Sequence, residues 1–268
     1  MSISRREQTL PSPNFSLSLK EFWRLPSLTV ARFTLRSYIR SGWIIGDIAC
    51  VWLLYAAFFL EFGGNVAYFY STAGQGLAAI AILGTIVMGQ RALNARVYLP
   101  LARLTSRGSY IRGLMLATGV LRIPLFLLLL LLAMLYHGHT ARLCTPVCIE
   151  GATLGSMLPG ALGLLANCIV ISTLVIAFSA PIASRFARIM LLAWIAAILY
   201  SNTSLGPVAA MLGVTRLPLI PLATSYALGT AAVLDWPALL ALLTEVAYVS
   251  GLALLAQYWM ARRDLLLQ

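Results

Sequence analysis

The chain has 268 residues, 60% of them hydrophobic and 10% charged, with a formal net charge of +11. A soluble domain carries about 25% charged residues, so a water-exposed globule would lack the polar surface to cover itself, and a polytopic membrane protein is expected; the mean hydropathy of +0.89 agrees. The cations lie in short separate stretches with no folded basic domain around them, which argues against nucleic acid as a partner.

In chain order, residues 1–17 read as a mobile tail, with Pro11, Pro13 and several serines. Residues 18–41 read as a cytoplasmic interfacial helix. Ser18-Leu19-Lys20-Glu21 fits a capping box, Pro26 interrupts, and a second helical stretch starts near Ser27. Arg32, Arg36 and Arg40 recur every four residues and share one face. Phe33, Tyr38 and Ile39 supply apolar surface beside them, and Trp23 and Trp43 serve as interface anchors. Six spans are then drawn across a transmembrane domain of residues 42–260, at about 42–61, 72–90, 113–136, 158–180, 188–206 and 236–260. The second span carries small residues, among them Gly74, Gly76 and Gly84, which permit close helix approach. The stretch 207–235 is apolar yet cut by Pro207, Pro218 and Pro221; short re-entrant helices before the last span fit it best. Residues 261–268 form a second tail. The fold class expected is therefore all-α integral membrane.

Basic residues set the orientation. Of 19, seven fall in residues 1–40, five in 91–112, and two each at Arg185/Arg188 and Arg262/Arg263. Only Arg142 and Arg216 lie in the alternate loops, and Arg122 lies inside an apolar run. By the positive-inside rule the four clusters and both termini face the cytoplasm, in a plasma membrane of bacterial inner-membrane type, with anionic lipid headgroups as neighbours.

Three ionisable residues fall within spans: Asp47, Arg122 and Glu245. Charge inside a bilayer is costly, so each is a functional suspect. Structural pairing is the plainer explanation: Asp47 lies two helical turns beyond Arg40, and Arg122 has Glu245 as one conceivable partner. Cys144 and Cys148 share an outer loop, where a C-x3-C pair forms a disulfide if the compartment oxidises and otherwise stays as two thiols. His137, His139 and Glu150 are nearby, but no metal site is assigned. Hydrolase, zinc-protease and Walker A signatures are all missing from the sequence, so no catalytic residue is assigned and no cofactor is expected on this chain.

The segment Arg91 to Arg112 holds five arginines (Arg91, Arg96, Arg103, Arg107 and Arg112) and no acid. Its stretch Asn94 to Gly113 resembles the segment between the second and third spans of ABC-2 type transporter permeases. In that family a short helix leads into a turn ending in serine-arginine, then a tyrosine and a glycine that opens the third span. Leu104, Thr105, Ser106, Arg107, Tyr110 and Gly113 match that pattern. Gln90 and Asn94 stand where family members often carry a glutamate. The resemblance implies a half-transporter: two such chains, identical or related, form the path, and separate cytosolic ABC ATPase subunits, using ATP and Mg, bind the 91–112 loop. It further implies export, with an amphiphilic or lipid-like cargo. A lipid-modifying membrane enzyme and a non-transporting scaffold or immunity protein are the alternatives.

Overall fold

The structure is a computed structural model that describes residues 26–59, 66–93, 107–140, 154–179, 183–201 and 236–262. They form seven helices: α1 (Pro26–Arg40), α2 (Trp43–Phe59), α3 (Val66–Leu93), α4 (Arg107–Thr140), α5 (Leu154–Ala177), α6 (Arg185–Ser201) and α7 (Trp236–Arg262). No strand occurs among the described residues. The capping box, the 207–235 stretch, residues 1–17 and 263–268, and the cysteines Cys144 and Cys148 lie outside them; residues 261–262 of the expected tail belong to α7.

Among the described residues four helices are long and apolar enough to cross a membrane, through Phe69–Ala92, Gly108–Leu132, Gly160–Ala177 and Leu239–Met260. Helices α2 and α6 have 17 residues each, about 25 Å at 1.5 Å per residue, against a hydrocarbon core of about 30 Å. Helices α1 and α2 pass the same test only as a pair, bent by 73°. The bend sits at Gly42, whose φ of 79° is the left-handed conformation that glycine adopts at a helix C-terminus; its N–H donates to the Ile39 carbonyl at 3.2 Å.

Two further boundaries differ from expectation. Helix α4 begins at Arg107, six residues before the expected span, so Gly113 lies in its second turn instead of opening it. The helix also runs to Thr140, which places His137 and His139 on its last turn and not in a loop. Pro124 inside α4 removes the hydrogen bond that the Val120 carbonyl would accept.

The bundle centres on α3, α4 and α5, which supply Tyr70, Leu77, Met88, Leu114, Leu121, Leu164 and Ile171 to one buried cluster. Lipid competes equally for apolar side chains, so such a bundle is held by close fit and internal polar bonds. Small residues supply the fit: a Cβ on Gly76 would run into Leu54 of α2, and one on Gly160 would lie 2.5 Å from the Tyr70 ring. The small residues of the second span thus face neighbours within this chain. Some buried hydroxyls are satisfied along their own helix, as Thr118 is by donating to the Met115 carbonyl at 2.9 Å. Helix α7 is peripheral, with Leu243, Val246 and Leu254 each at least 64% exposed.

Contacts near the helix ends gather the cations at one end of the bundle. The Tyr110 hydroxyl donates to the Ala92 carbonyl, joining the start of α4 to the end of α3. Gly108 of α4 faces Gln257 of α7, with a Cβ-to-side-chain approach of 3.3 Å. A cleft brings Gln90 of α3 beside Arg185 and Arg188 of α6. Arg91, Arg112, Arg185, Arg188 and Arg262 therefore share one end, and α1 lies against it.

Candidate functional site

Two of the three ionisable residues, Asp47 and Arg122, approach each other inside the bundle. Asp47 is 8% exposed and Arg122 3% exposed. Asp47 stands one turn into α2, where the bend at Gly42 turns it back toward α1. It accepts a hydrogen bond from the Tyr38 hydroxyl at 2.8 Å, and Ser41 in the bend donates to the Tyr38 carbonyl at 2.7 Å. The expected pairing of Asp47 with Arg40 is not formed: that spacing assumed one continuous helix, and the bend leaves Arg40 exposed on α1.

Arg122 points from α4 at α3. Its Nη2 donates to the Ala81 carbonyl at 3.2 Å and to Thr85 Oγ1 at 3.0 Å. Thr85 in turn donates to Ser172 of α5 at 3.2 Å. Gly84 is the gap through which the two charges face each other. A Cβ there would lie 3.0 Å from Arg122 Nη2 and 3.1 Å from Asp47 Oδ1. The guanidinium and the carboxylate act on each other electrostatically across that gap. The Nε and Nη1 of Arg122 make no hydrogen bond, so attraction to Asp47 is what offsets their burial. The two opposite charges face each other without a direct ion contact, and their hydrogen bonds tie α1 to α2 on one side and α4 to α3 and α5 on the other. A buried arginine needs that many partners because an isolated ion in a low-dielectric interior costs several kcal/mol.

Glu245 is buried on α7, 2% exposed. Spacing alone did not mark Tyr38, Gly84, Thr85 and Ser172 as members of this cluster. The available signal was weak: Ala81 and Thr85 are one turn apart, and so are Cys168 and Ser172, leaving a polar and small-residue stripe on two otherwise apolar helices.

The expected coupling segment is described at its two ends. Arg91 is exposed at the end of α3, Arg107 is the first residue of α4, and Tyr110 is 4% exposed. Arg96, Arg103, Leu104, Thr105 and Ser106 lie outside the described residues. A cavity of about 180 Å³ beside these ends is lined by Phe33, Thr34, Ser37 and Tyr38 of α1, Met88, Arg91 and Ala92 of α3, and Tyr110. Helix α1 buries Val30, Thr34 and Tyr38 and leaves Arg32, Arg36 and Arg40 exposed on the other side. Its closest approach is to α4, where a Cβ on Gly113 would lie 2.5 Å from the Ser27 carbonyl oxygen and 2.6 Å from Val30 Cβ. No group of three or more histidine, cysteine or acidic side chains able to hold a metal occurs among the described residues.

No family model matches the chain, and a search of curated proteins finds no match.

Proposed function

We propose that the chain is the membrane-embedded permease subunit of an ABC-2 type exporter. In this reading α2 to α7 are six spans, with α2 and α6 as short ones, α1 lies in the cytoplasmic interface, and residues 207–235 dip into the outer leaflet. Two such chains enclose the path for an amphiphilic cargo, and cytosolic ATPase subunits bind the segment that joins α3 to α4. Both termini and the arginine-rich end of the bundle face the cytoplasm.

One observation carries the reading: the joint at the base of that segment is fixed. Tyr110 bonds across to Ala92, and α1 is seated on Gly113 without room for a side chain. A push on residues 94–106 is then delivered to the start of a 34-residue helix and, through α1, to the Tyr38–Asp47–Arg122 chain. Rigid-body motion of packed helices is how such a joint transmits force. The five arginines of residues 91–112 and the absence of acids among them suit a carboxylate-bearing partner groove.

Arg107→Glu tests it. The variant is expected to insert and fold normally but to lose co-purification of an ATPase subunit after mild cross-linking. Recovery of no ATPase with the natural chain, repeated with cross-linker, counts against the proposal as a whole. Equal recovery with both chains removes Arg107 from the joint.

A further inference from the structure

A second cavity, of about 300 Å³, lies between α3, α5 and α6, at the lower bound of small-ligand sites (about 300–1,000 Å³). Its composition is divided. Ile86, Ile176, Phe178, Ile189 and Leu192 form apolar walls, while Gln90, Ser179, Arg185 and Arg188 gather at the arginine-rich end. No acid lines it.

Two polar groups on this cavity lack any partner. Ser179 is 9% exposed, and its Oγ makes no hydrogen bond; Nε of Arg188 is likewise buried and unbonded. A buried donor left without a partner is costly, so two of them lining one cavity indicate a group that belongs there. Arg185 is exposed at the mouth. The start of α6 adds the positive end of a helix, capped by Ser184, whose Oγ accepts from the Ala187 N–H at 3.2 Å.

We propose that this cleft holds one anionic phospholipid, whose phosphate has no choline to neutralise it. The phosphate sits among Ser179, Arg185 and Arg188, and one acyl chain lies along Ile86, Ile176 and Ile189. Phosphate fits better than a planar carboxylate because a tetrahedral anion offers oxygens in several directions to a hydroxyl and two guanidiniums at once. A lipid fits better than a soluble phosphate because the walls below the cations are apolar, and Ile189, 54% exposed, leaves the cleft open sideways to the bilayer. The apolar part ends at Thr85, five residues from Gln90 and so about 8 Å deeper along α3. Thr85 is also the residue that accepts from Arg122, so an acyl chain in the cleft abuts the buried charge cluster. This inference requires a bilayer around the chain but no ATPase partner.

The test is native mass spectrometry of the full-length chain released from nanodiscs of phosphatidylglycerol mixed equally with phosphatidylcholine. The natural chain is expected to retain one phosphatidylglycerol, in about tenfold preference over phosphatidylcholine. Ser179→Ala is the cleanest variant, because its hydroxyl has no internal bond to lose: thermal stability in lipid-free detergent should be unchanged while retention falls several-fold. Arg188→Gln should abolish the preference, and Arg188→Lys should restore part of it. Millimolar inorganic phosphate should not displace the lipid. Equal retention of both lipids, displacement by inorganic phosphate, or undiminished retention by Ser179→Ala and Arg188→Gln together would each overturn the proposal.

Discussion

Asp47 and Arg122 illustrate what two opposite charges buried near each other demand of single residues. Each charge would be prohibitive alone; together they are held by a phenol, a threonine and a carbonyl, with Gly84 keeping the space between them clear. Breaking such a pair by removing one partner costs about 3–5 kcal/mol, because the other charge stays buried. Arg122→Met alone should therefore destabilise strongly, Asp47→Asn less, since Tyr38 can still bond to the amide oxygen. The double variant should be more stable than the sum of the single losses by at least about 1 kcal/mol. Thermal unfolding of the detergent-purified chain measures all three, and strict additivity would show that the two charges do not act on each other. The sequence marks both residues as suspects, because an ionisable side chain within an apolar run is visible by eye. Their partners are not legible, because Tyr38 and Asp47 meet only through the 73° bend at Gly42.

At the scale of elements, legibility follows how each helix is stabilised. The apolar runs of α3, α4, α5 and α7 announce themselves, since a span needs about 20 apolar residues and little else. Helix ends are less readable. The first turn of α4 is Arg-Gly-Ser-Tyr, which has the composition of a loop; it is helical because Tyr110 is tied to Ala92 and α1 packs on Gly113. Tertiary contact there overrides local composition. Gly113→Leu tests how much α1 depends on this seat. The backbone of Ser27 and the side chain of Val30 block the new side chain, so α1 should detach from α4. Limited proteolysis should then cut within residues 26–42 much faster than in the natural chain, with α4 itself intact. Unchanged protection would mean that α1 is held chiefly through Tyr38 and Asp47. The short helices α2 and α6 mark the opposite limit: apolar patterning is plain in both, yet 17 residues do not by themselves define a crossing.

For the whole molecule the decisive property is the one-sided placement of cations. Antiparallel packing brings the end of α3 and the starts of α4 and α6 to the same end as the finish of α7, and α1 joins them with three exposed arginines. Sixteen of the 19 basic residues of the sequence belong to the four stretches that supply this end. A membrane with its anionic, ATP-facing leaflet on that side accommodates them, and the opposite orientation would carry them all across. Ser37, exposed on α1, is a neutral reporter of the side. In a chain with Cys50, Cys144, Cys148 and Cys168 changed to Ala, Ser37→Cys should react with a membrane-impermeant maleimide only after cells are opened. The same reagent should label it in inside-out vesicles without permeabilisation. Labelling from outside intact cells would invert the topology and remove the α3–α4 segment from reach of any cytosolic ATPase. The cleft would still be a lipid site after such an inversion, but one facing the outer leaflet.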